Sequence, residues 1–489
     1  MNRKEFFSKY EPLRSAKKGY WGMQVVNVLD GTFEFAFGTI FTIFLTVNLG
    51  LTDEQVGYAI AIIGVISMIT FLLIGPAIDK LGMKKTLLFG LGGMLVFRTL
   101  LAILAFTPVF PFRVLILLTV YFLSGVPISM INICYRIGNQ RFVRGDEKSQ
   151  KASFSGWYVI MNFGAVFGSL LVDFVHKGLH LPEHWILVFG VATTLLSLAA
   201  ALLMIIPCGF YDEENSIAAI KTHSESISTA PRENAKSKWN MARLSEIVLN
   251  VCSSLKHYYD EVICAPAFKR MLAALTLLLG VRMIFIYTAY LTPKYIYRVI
   301  GQDAWLGTIN SINPFLIIVG VLLLIPITEN WDTFKTLGWG SLFGGCSLIP
   351  LVIPWYYYSS DIVTAYYIMN GTFMLFLALG EMFWSPRLEQ YITSVAPRGQ
   401  LAIYSGFASL PMFLAKTATG FYSGIMLAKW CPEFIAQNVP IQKVLITQSL
   451  PYWQTPEAMW LILAIPAIVG PIIMLFLKDW FTVGMKQKV

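Results

Sequence analysis

Twelve stretches of this chain are each long and apolar enough to cross a lipid bilayer, and that fact narrows the fold more than any other. A bilayer-crossing helix needs about 20 mostly apolar residues. Runs of that kind fall at residues 21–47, 55–79, 85–107, 112–137, 151–175, 184–207, 268–292, 305–328, 335–356, 361–387, 400–428 and 457–478. In hydrocarbon every backbone N–H and C=O must be satisfied by the chain itself, so only helices and closed barrels span a membrane. Barrel strands alternate apolar and polar residues and rarely give long apolar runs. The expectation is an all-α membrane protein with 12 transmembrane helices. Composition agrees: 13% of the 489 residues are charged and 56% hydrophobic, where an ordinary soluble domain carries roughly 25% charged. A soluble enzyme, a disordered chain and a nucleic-acid-binding domain are excluded.

An even number of spans puts both termini on one side, and the Lys/Arg bias says which. Arg3, Lys4, Lys9, Arg14, Lys17 and Lys18 precede the first span, Lys80, Lys84 and Lys85 follow the second, and Arg141, Arg144, Lys148 and Lys151 follow the fourth. The opposite loops hold few. Both termini are therefore expected in the cytoplasm, with residues 1–20 as a cytoplasmic segment and 479–489 as a cytoplasmic tail. Residues 1–18 are polar and basic and lack the short apolar core and cleavage site of a signal peptide, so the first apolar run is expected to be a retained helix. Residues 208–267 break the pattern with Asp212, Glu213, Glu214 and a Ser/Thr/Pro patch, and read as a cytoplasmic linker. Within it, Leu244, Ile247, Val248, Val251 and Leu255 recur at helical spacing among charges over 239–263, an amphipathic helix lying on the membrane or the bundle. The layout is a six-helix half (21–207), a linker, and a second six-helix half (268–478). Such pairs enclose a central cavity and suit alternating access.

The net charge of +9 sits at the ends of apolar runs rather than along one stripe. Its expected partner is the anionic membrane surface, not nucleic acid. Cys134, Cys208, Cys252, Cys264, Cys346 and Cys431 are scattered without CxxC spacing, so neither a disulfide framework nor a metal site is expected. No GxxxxGK(S/T), HExxH or GxSxG pattern is present, and no cofactor is expected.

The loop after the second span reads Gly75, Pro76, Ala77, Ile78, Asp79, Lys80, Leu81, Gly82, Met83, Lys84, Lys85. It resembles the signature loop of the major facilitator superfamily, G-x-x-x-D-R/K-x-G-R/K-R/K. Glycines there allow a tight turn, Lys84 and Lys85 anchor to headgroups, and Asp79 is placed to meet a neighbouring helix N-terminus; the resemblance makes that neighbour span 11 and the contact a gate. Three further segments resemble the proton-dependent oligopeptide transporter family. Gly380, Glu381, Ser385 and Pro386 match its G-E-x-x-x-S-P, Ser311, Asn313 and Pro314 its S-x-N-P, and Phe154, Tyr158, Asn162, Gly164 and Ala165 its F-x-x-x-Y-x-x-x-N-x-G-A/S, with departures between them. Two places depart. The family's E-x-x-E-R-F is here Asp30 and Glu34 without an Arg, and its span-4 Lys is here Met130 before Asn132.

An ionisable residue inside a span costs about 2.5–3.5 kcal/mol on insertion scales, so it faces a cavity or a partner. The resemblance implies that Glu381 binds the positive group of a substrate, and the residue type also suits a proton. Asp30 and Glu34 lie four apart, on one helix face, where two acids repel unless one is protonated or a cation intervenes. The intramembrane cations are Arg98, Arg136, Arg282 and Lys416. Arg98 and Arg282 are candidate receivers of an anionic group, Arg136 reads as a snorkelling anchor, and Lys416 as cavity-facing or paired with an acid. Tyr158, Tyr287, Tyr290 and Trp384 are candidate cavity walls, with packing as the plainer alternative. Asn162, Asn310 and Asn313 are polar wall residues or interhelical glue.

The expected function is secondary active transport, coupled to protons through Asp30, Glu34 and Glu381, of a small polar or zwitterionic solute of peptide or amino-acid type. The expected partners are that solute, protons and membrane lipids, and the expected state is a monomer in a plasma or bacterial inner membrane. A uniporter or exchanger for an organic anion, and a non-transporting membrane receptor, are the alternatives.

Overall fold

The computed structural model describes residues 11–108, 110–144, 147–211, 265–328, 331–355, 358–395, 410–432 and 450–483. Among them the secondary structure is helical throughout, with no strand. Helix occupies each of the expected places. The helices are α1 (Lys18–Val47), α2 (Asp53–Leu81), α3 (Met83–Phe106), α4 (Arg113–Leu123), α5 (Gly125–Arg141), α6 (Glu147–Asp173) and α7 (Ile186–Ala200). After residues 212–264, which lie outside the described residues together with the expected amphipathic helix at 239–263, come α8 (Pro266–Leu277), α9 (Leu279–Tyr290), α10 (Thr292–Val299), α11 (Leu306–Thr328), α12 (Thr333–Cys346), α13 (Ile362–Val395), α14 (Leu410–Trp430) and α15 (Pro456–Phe476). Eight spans among the described residues are long and apolar enough to cross a membrane, and α8 with α9, bent by 45°, makes a ninth.

The interruptions have local causes. Pro127 lacks an N–H and its ring opposes the carbonyl four residues back, which separates α4 from α5. Pro293 does the same between α9 and α10. At the α8–α9 bend, Gly280 lies against the backbone of α15: a Cβ there would come within 2.6 Å of the Pro466 carbonyl carbon. Gly82, the turn glycine of the signature loop, has φ +79°, the left-handed region that glycine enters without strain.

The first seven helices meet the last eight along two seams, α2 against α14 and α6 against α11. Glycines make the α2–α14 seam. A Cβ on Gly57 would stand 2.6 Å from the Gly420 carbonyl, and one on Gly64 would stand 2.5 Å from the Thr417 hydroxyl. A Cβ on Gly424 would strike the Asp53 carbonyl. In lipid, helices gain little from hydrophobic exclusion, so backbone proximity through small residues supplies the packing.

Lys84 is not free to reach headgroups. Its ammonium donates to the Ile206 carbonyl at 3.2 Å and lies 5.0 Å from the Phe210 ring centroid, tying α3 to the end of the α7 span. Lys85 is exposed. The side chains of Asp79 and Lys80, and the start of the eleventh span, lie outside the described residues.

Replacing Gly424 with Ala is expected to destabilise the protein by about 1–3 kcal/mol, because the methyl group meets backbone that has no rotamer to yield. The thermal unfolding midpoint of the purified protein in detergent reads this directly. An unchanged midpoint would mean that α2 and α14 do not meet along this seam.

Candidate functional site

The span-1 acids find their cation on another helix. Arg98 of α3 donates through one terminal nitrogen to both Asp30 and Glu34 of α1, each at 2.7 Å, and through the other to the Thr194 hydroxyl of α7 at 2.6 Å. Its guanidinium also lies over the Phe33 ring, 4.0 Å from the centroid, a cation–π contact. Arg98 is 1% exposed, so this cation is already engaged by the chain's own acids and offers no open face to a solute. The missing arginine of the span-1 motif is thus supplied from α3.

The two acids are not equivalent. The Asp30 side chain is 14% exposed and receives the Tyr135 hydroxyl at 3.4 Å, while the Glu34 side chain is 42% exposed. Two carboxylates share one guanidinium, so the group carries an excess negative charge whenever both are ionised. Lys416 of α14, in the other half, lies close enough to act on Glu34 electrostatically. Its ammonium stands 5.6 Å from the Tyr290 ring centroid.

Glu381 of α13 sits in a different setting. Its carboxylate accepts the Tyr158 hydroxyl of α6 at 2.6 Å and the Asn313 amide of α11 at 3.4 Å. Both donors are neutral, and no ion pair to Glu381 exists among the described residues. The Tyr158 contact crosses from one half to the other. Asn162 is 5% exposed and donates to the Tyr158 carbonyl one turn away at 2.8 Å, which fixes the helix that carries the tyrosine rather than facing a cavity.

The remaining candidates divide. Tyr287 is 1% exposed, with its hydroxyl 2.7 Å from that of Tyr422; it is a packing residue. Tyr290 packs edge-on to Phe41 of the other half, 6.0 Å between centroids. Trp384 is buried against Phe285, and its ring lies 5.8 Å from the Arg282 guanidinium carbon. Asn310 donates to Thr39 at 3.4 Å, a link between α11 and α1.

The sequence reading passed over the end of the bundle away from α1's first turn. There Asp53 of α2 takes Lys294 at 2.7 Å and Arg298 at 2.9 Å, both from α10, and Arg298 also donates to the Cys431 carbonyl at 2.7 Å. Nearby, Asp173 of α6 accepts the Gly307 and Thr308 N–H groups at 2.8 and 2.6 Å and the Thr308 hydroxyl at 2.7 Å. That is a helix N-cap supplied by the opposite half. The signal for the first cluster was available: Lys294 and Arg298 stand four apart beside a proline, on the side where basic residues are scarce. Asp173, an acid inside the 151–175 run, carried the same signal as Asp30 and Glu34, though nothing local names its partner.

The sequence profile of the Major Facilitator Superfamily matches residues 24–420. The chain belongs to that superfamily of membrane transporters, which are not enzymes. Among solved structures it is similar in fold to a mutant of the peptide transporter POT in complex with alafosfalin, with a TM-score of 0.67 at 16% identity over 96% of each chain. It is similar to a POT family transporter in complex with 5-aminolevulinic acid, with a TM-score of 0.67 at 13% identity over 95% of this chain and 97% of that one. It is also similar to the POT family transporter PepTSo, at 0.65 and 14% over 95% and 98%. No curated protein matches by sequence.

Replacing Arg98 with Gln is expected to cost about 3–5 kcal/mol, since it strands a buried carboxylate. The triple variant Arg98→Gln, Asp30→Asn, Glu34→Gln removes the charges together and is expected to recover most of the loss. Thermal unfolding of the four proteins (wild type, Arg98→Gln, the paired acid variant and the triple) closes the cycle. Additive losses would dissolve the cluster as an energetic unit.

Proposed function

We propose that this major facilitator protein is a proton-coupled transporter of a small solute carrying a positive group, of peptide or amino-acid type. Both termini face the cytoplasm, and it works as a monomer in a plasma or bacterial inner membrane without a cofactor. The observation that carries the reading is Glu381: a carboxylate at the contact between the halves whose hydrogen bonds, among the described residues, come only from a hydroxyl and an amide. A solute ammonium offers that carboxylate a charge-assisted bond, which outcompetes a neutral donor. Taking it up loosens Tyr158, so solute binding and the release of this contact between the halves become one event. The ligands of the similar structures, alafosfalin and 5-aminolevulinic acid among them, support a solute with an amino group.

The Asp30–Glu34–Arg98 cluster suits the proton. Protonation of the more exposed Glu34 leaves Asp30 and Arg98 as a neutral pair and frees Lys416 in the opposite half. Deprotonation restores the pull across the cavity. The far-end contacts of Asp53 and Asp173 then serve as the gate that such a change must open, with the described form closed at that end. Orientation rests on the Lys/Arg bias of the loops.

A second reading, exchange of an organic anion without protons, is favoured by Arg282, which has no hydrogen bond or ion pair among the described residues. Proteoliposomes separate the two. Under the proton-coupled reading, uptake of a labelled dipeptide such as dialanine falls to the equilibrium level when a protonophore is added. Glu381→Gln removes uptake altogether, because an amide cannot pair an ammonium. Uptake indifferent to the protonophore would sink the coupling, and full uptake by Glu381→Gln would sink the role of the carboxylate.

The gate has its own readout. Cys431 is buried, and its carbonyl is held by Arg298. In a variant retaining Cys431 as its single cysteine, Asp53→Asn is expected to speed labelling by a membrane-impermeant maleimide by about tenfold, the change given by about 1.4 kcal/mol of lost closure. Equal labelling rates would place the gate elsewhere.

A further inference from the structure

Glu457 is a carboxylate that the architecture hides and leaves without a cation. It is the second residue of α15 and is fully buried. One of its oxygens accepts the Tyr366 hydroxyl of α13 at 2.9 Å. The other has no hydrogen-bond partner, and no ion pair to Glu457 exists among the described residues. Burying a carboxylate as an ion without a cation is costly. One feature pulls the other way. Glu457 stands in the first turn of α15, whose N-terminus has no side-chain cap, the Thr455 hydroxyl donating instead to the Tyr452 carbonyl. The positive end of a helix favours an anion. An acid held between these two pulls changes its charge when a cation nearby gains or loses its partner.

The surroundings of Glu457 belong to the far-end contacts. Tyr295 of α10 lies edge-on to the Tyr366 ring, 6.4 Å between centroids, and edge-on at 5.2 Å to Trp460, one turn along α15 from Glu457. Lys294, next to Tyr295 in the chain, and Arg298, one turn on, take Asp53. Thus α10 has an acid of the first half on one flank and Glu457 behind another. The end of α14 joins them: the Cys431 carbonyl takes Arg298 at 2.7 Å, and the Trp430 indole donates to the Trp453 carbonyl at 2.8 Å, just ahead of α15. The other titratable groups close to Glu457 are uncharged, the Tyr452 hydroxyl and the Cys431 thiol. Two further helices pack on α15 and bring their charges elsewhere. Tyr287 of α9 meets Trp460 at 6.5 Å, more than a turn beyond Arg282. Gly345 of α12 meets Ala467, well below Glu457, and Lys335 lies at the other end of that helix.

When the far end opens, α2 carries Asp53 away, and Lys294 and Arg298 stay with the second half. Glu457 is the buried acid of that half at that end among the described residues, where Asp303 and Asp361 are exposed. We propose that Glu457 is a further proton-binding residue of this transporter, and that its proton sets the gate. With the end shut, the group is the carboxylic acid. On opening, its O–H bond breaks, the proton passes to water at the mouth, and the carboxylate left behind answers the charge on α10. Protons arriving at the mouth reverse the step: they neutralise Glu457 and return Lys294 and Arg298 to Asp53. Acid at the mouth therefore shuts the far end. This rests on the reading of the Asp53 contacts as the gate, and it is separate from the proton assigned to Glu34.

The test uses the full-length protein in detergent with Cys431 as its single cysteine, labelled by the membrane-impermeant maleimide from acid to alkaline pH. Each rate is divided by that of Glu457→Gln at the same pH, which cancels the reagent's own pH dependence. The ratio is expected to be one at acid pH, where both side chains are neutral. It is expected to rise to about tenfold at alkaline pH, an ordinary size for coupling between two sites. A ratio that stays flat overturns the proposal. In a background carrying Lys294→Gln and Arg298→Gln the ratio is expected to stay at one, because no cation is left to answer. A rise there as large as in wild type makes Glu457 a residue of local structure and also overturns it. Tyr366→Phe keeps the acid and removes a donor to its ionised form. The pH midpoint of labelling, with rates divided by those of a small free thiol, is then expected to move up. An unmoved midpoint overturns the assignment even where Glu457→Gln does not fold. Asp53→Asn at acid pH tells the two readings apart. Labelling no faster than wild type sinks the gate itself, while faster labelling together with a flat Glu457 ratio sinks only the proton on Glu457.

Discussion

Charge inside a bilayer has to be answered by charge, and the pairing of Arg98 with Asp30 and Glu34 is where this protein meets that demand. One guanidinium on α3 ties together α1, through both acids, and α7, through Thr194. Three helices of the first half are thereby registered on one buried cation. The arithmetic is left uneven, with two acids to one base, and the surplus is directed at the second half through the more exposed of the two acids. The half is held rigid by the part of the cluster that is satisfied, and it communicates through the part that is not.

The two seams between the halves work by a different principle. At α2 and α14 the contact is glycine against backbone, which is close and carries no charge. Such a surface permits a rocking motion because no ion pair between the two helices has to disengage. Among the described residues, specific fastening is at points: Tyr158 on Glu381, Asn310 on Thr39, Lys177 on the Asp303 carbonyl, and the Asp53 and Asp173 contacts at the far end. Smooth seams and few fastenings together describe a joint rather than a weld.

Much of the fold was legible because span length and hydrophobicity are local properties. Residue by residue, the span positions and the α8–α9 region could be read off runs of leucine, isoleucine and phenylalanine. Pro127 announced a break that the run-length reading smoothed over, and Pro293 stands one residue past the end of the 268–292 run. The site was legible by residue type but not by pairing. Asp30, Glu34, Arg98, Glu381 and Arg282 stood out because ionisable groups are scarce within spans. That Arg98 answers Asp30 depends on how α3 packs on α1, and 68 positions separate them. Tyr287 looked like a cavity wall, yet its hydroxyl closes on Tyr422 135 positions away. Arg113 is buried and donates to the Leu104 and Ala105 carbonyls at 3.0 and 2.9 Å, fastening the turn between α3 and α4. Each of these is a tertiary fact with no local shadow.

The cap that Asp173 places on α11 has a consequence for the opened form. A helix N-terminus presents N–H groups that the helix itself does not use, and it carries the positive end of the macrodipole. With the far end shut, those groups are occupied by a carboxylate belonging to the other half. Separation of the halves strips the cap away and leaves the first turn of α11 facing the entrance with its donors vacant. The surface that locks the protein when closed is therefore, once open, an attractive electrostatic feature at the mouth, one that draws the acidic end of an arriving molecule toward the path inward.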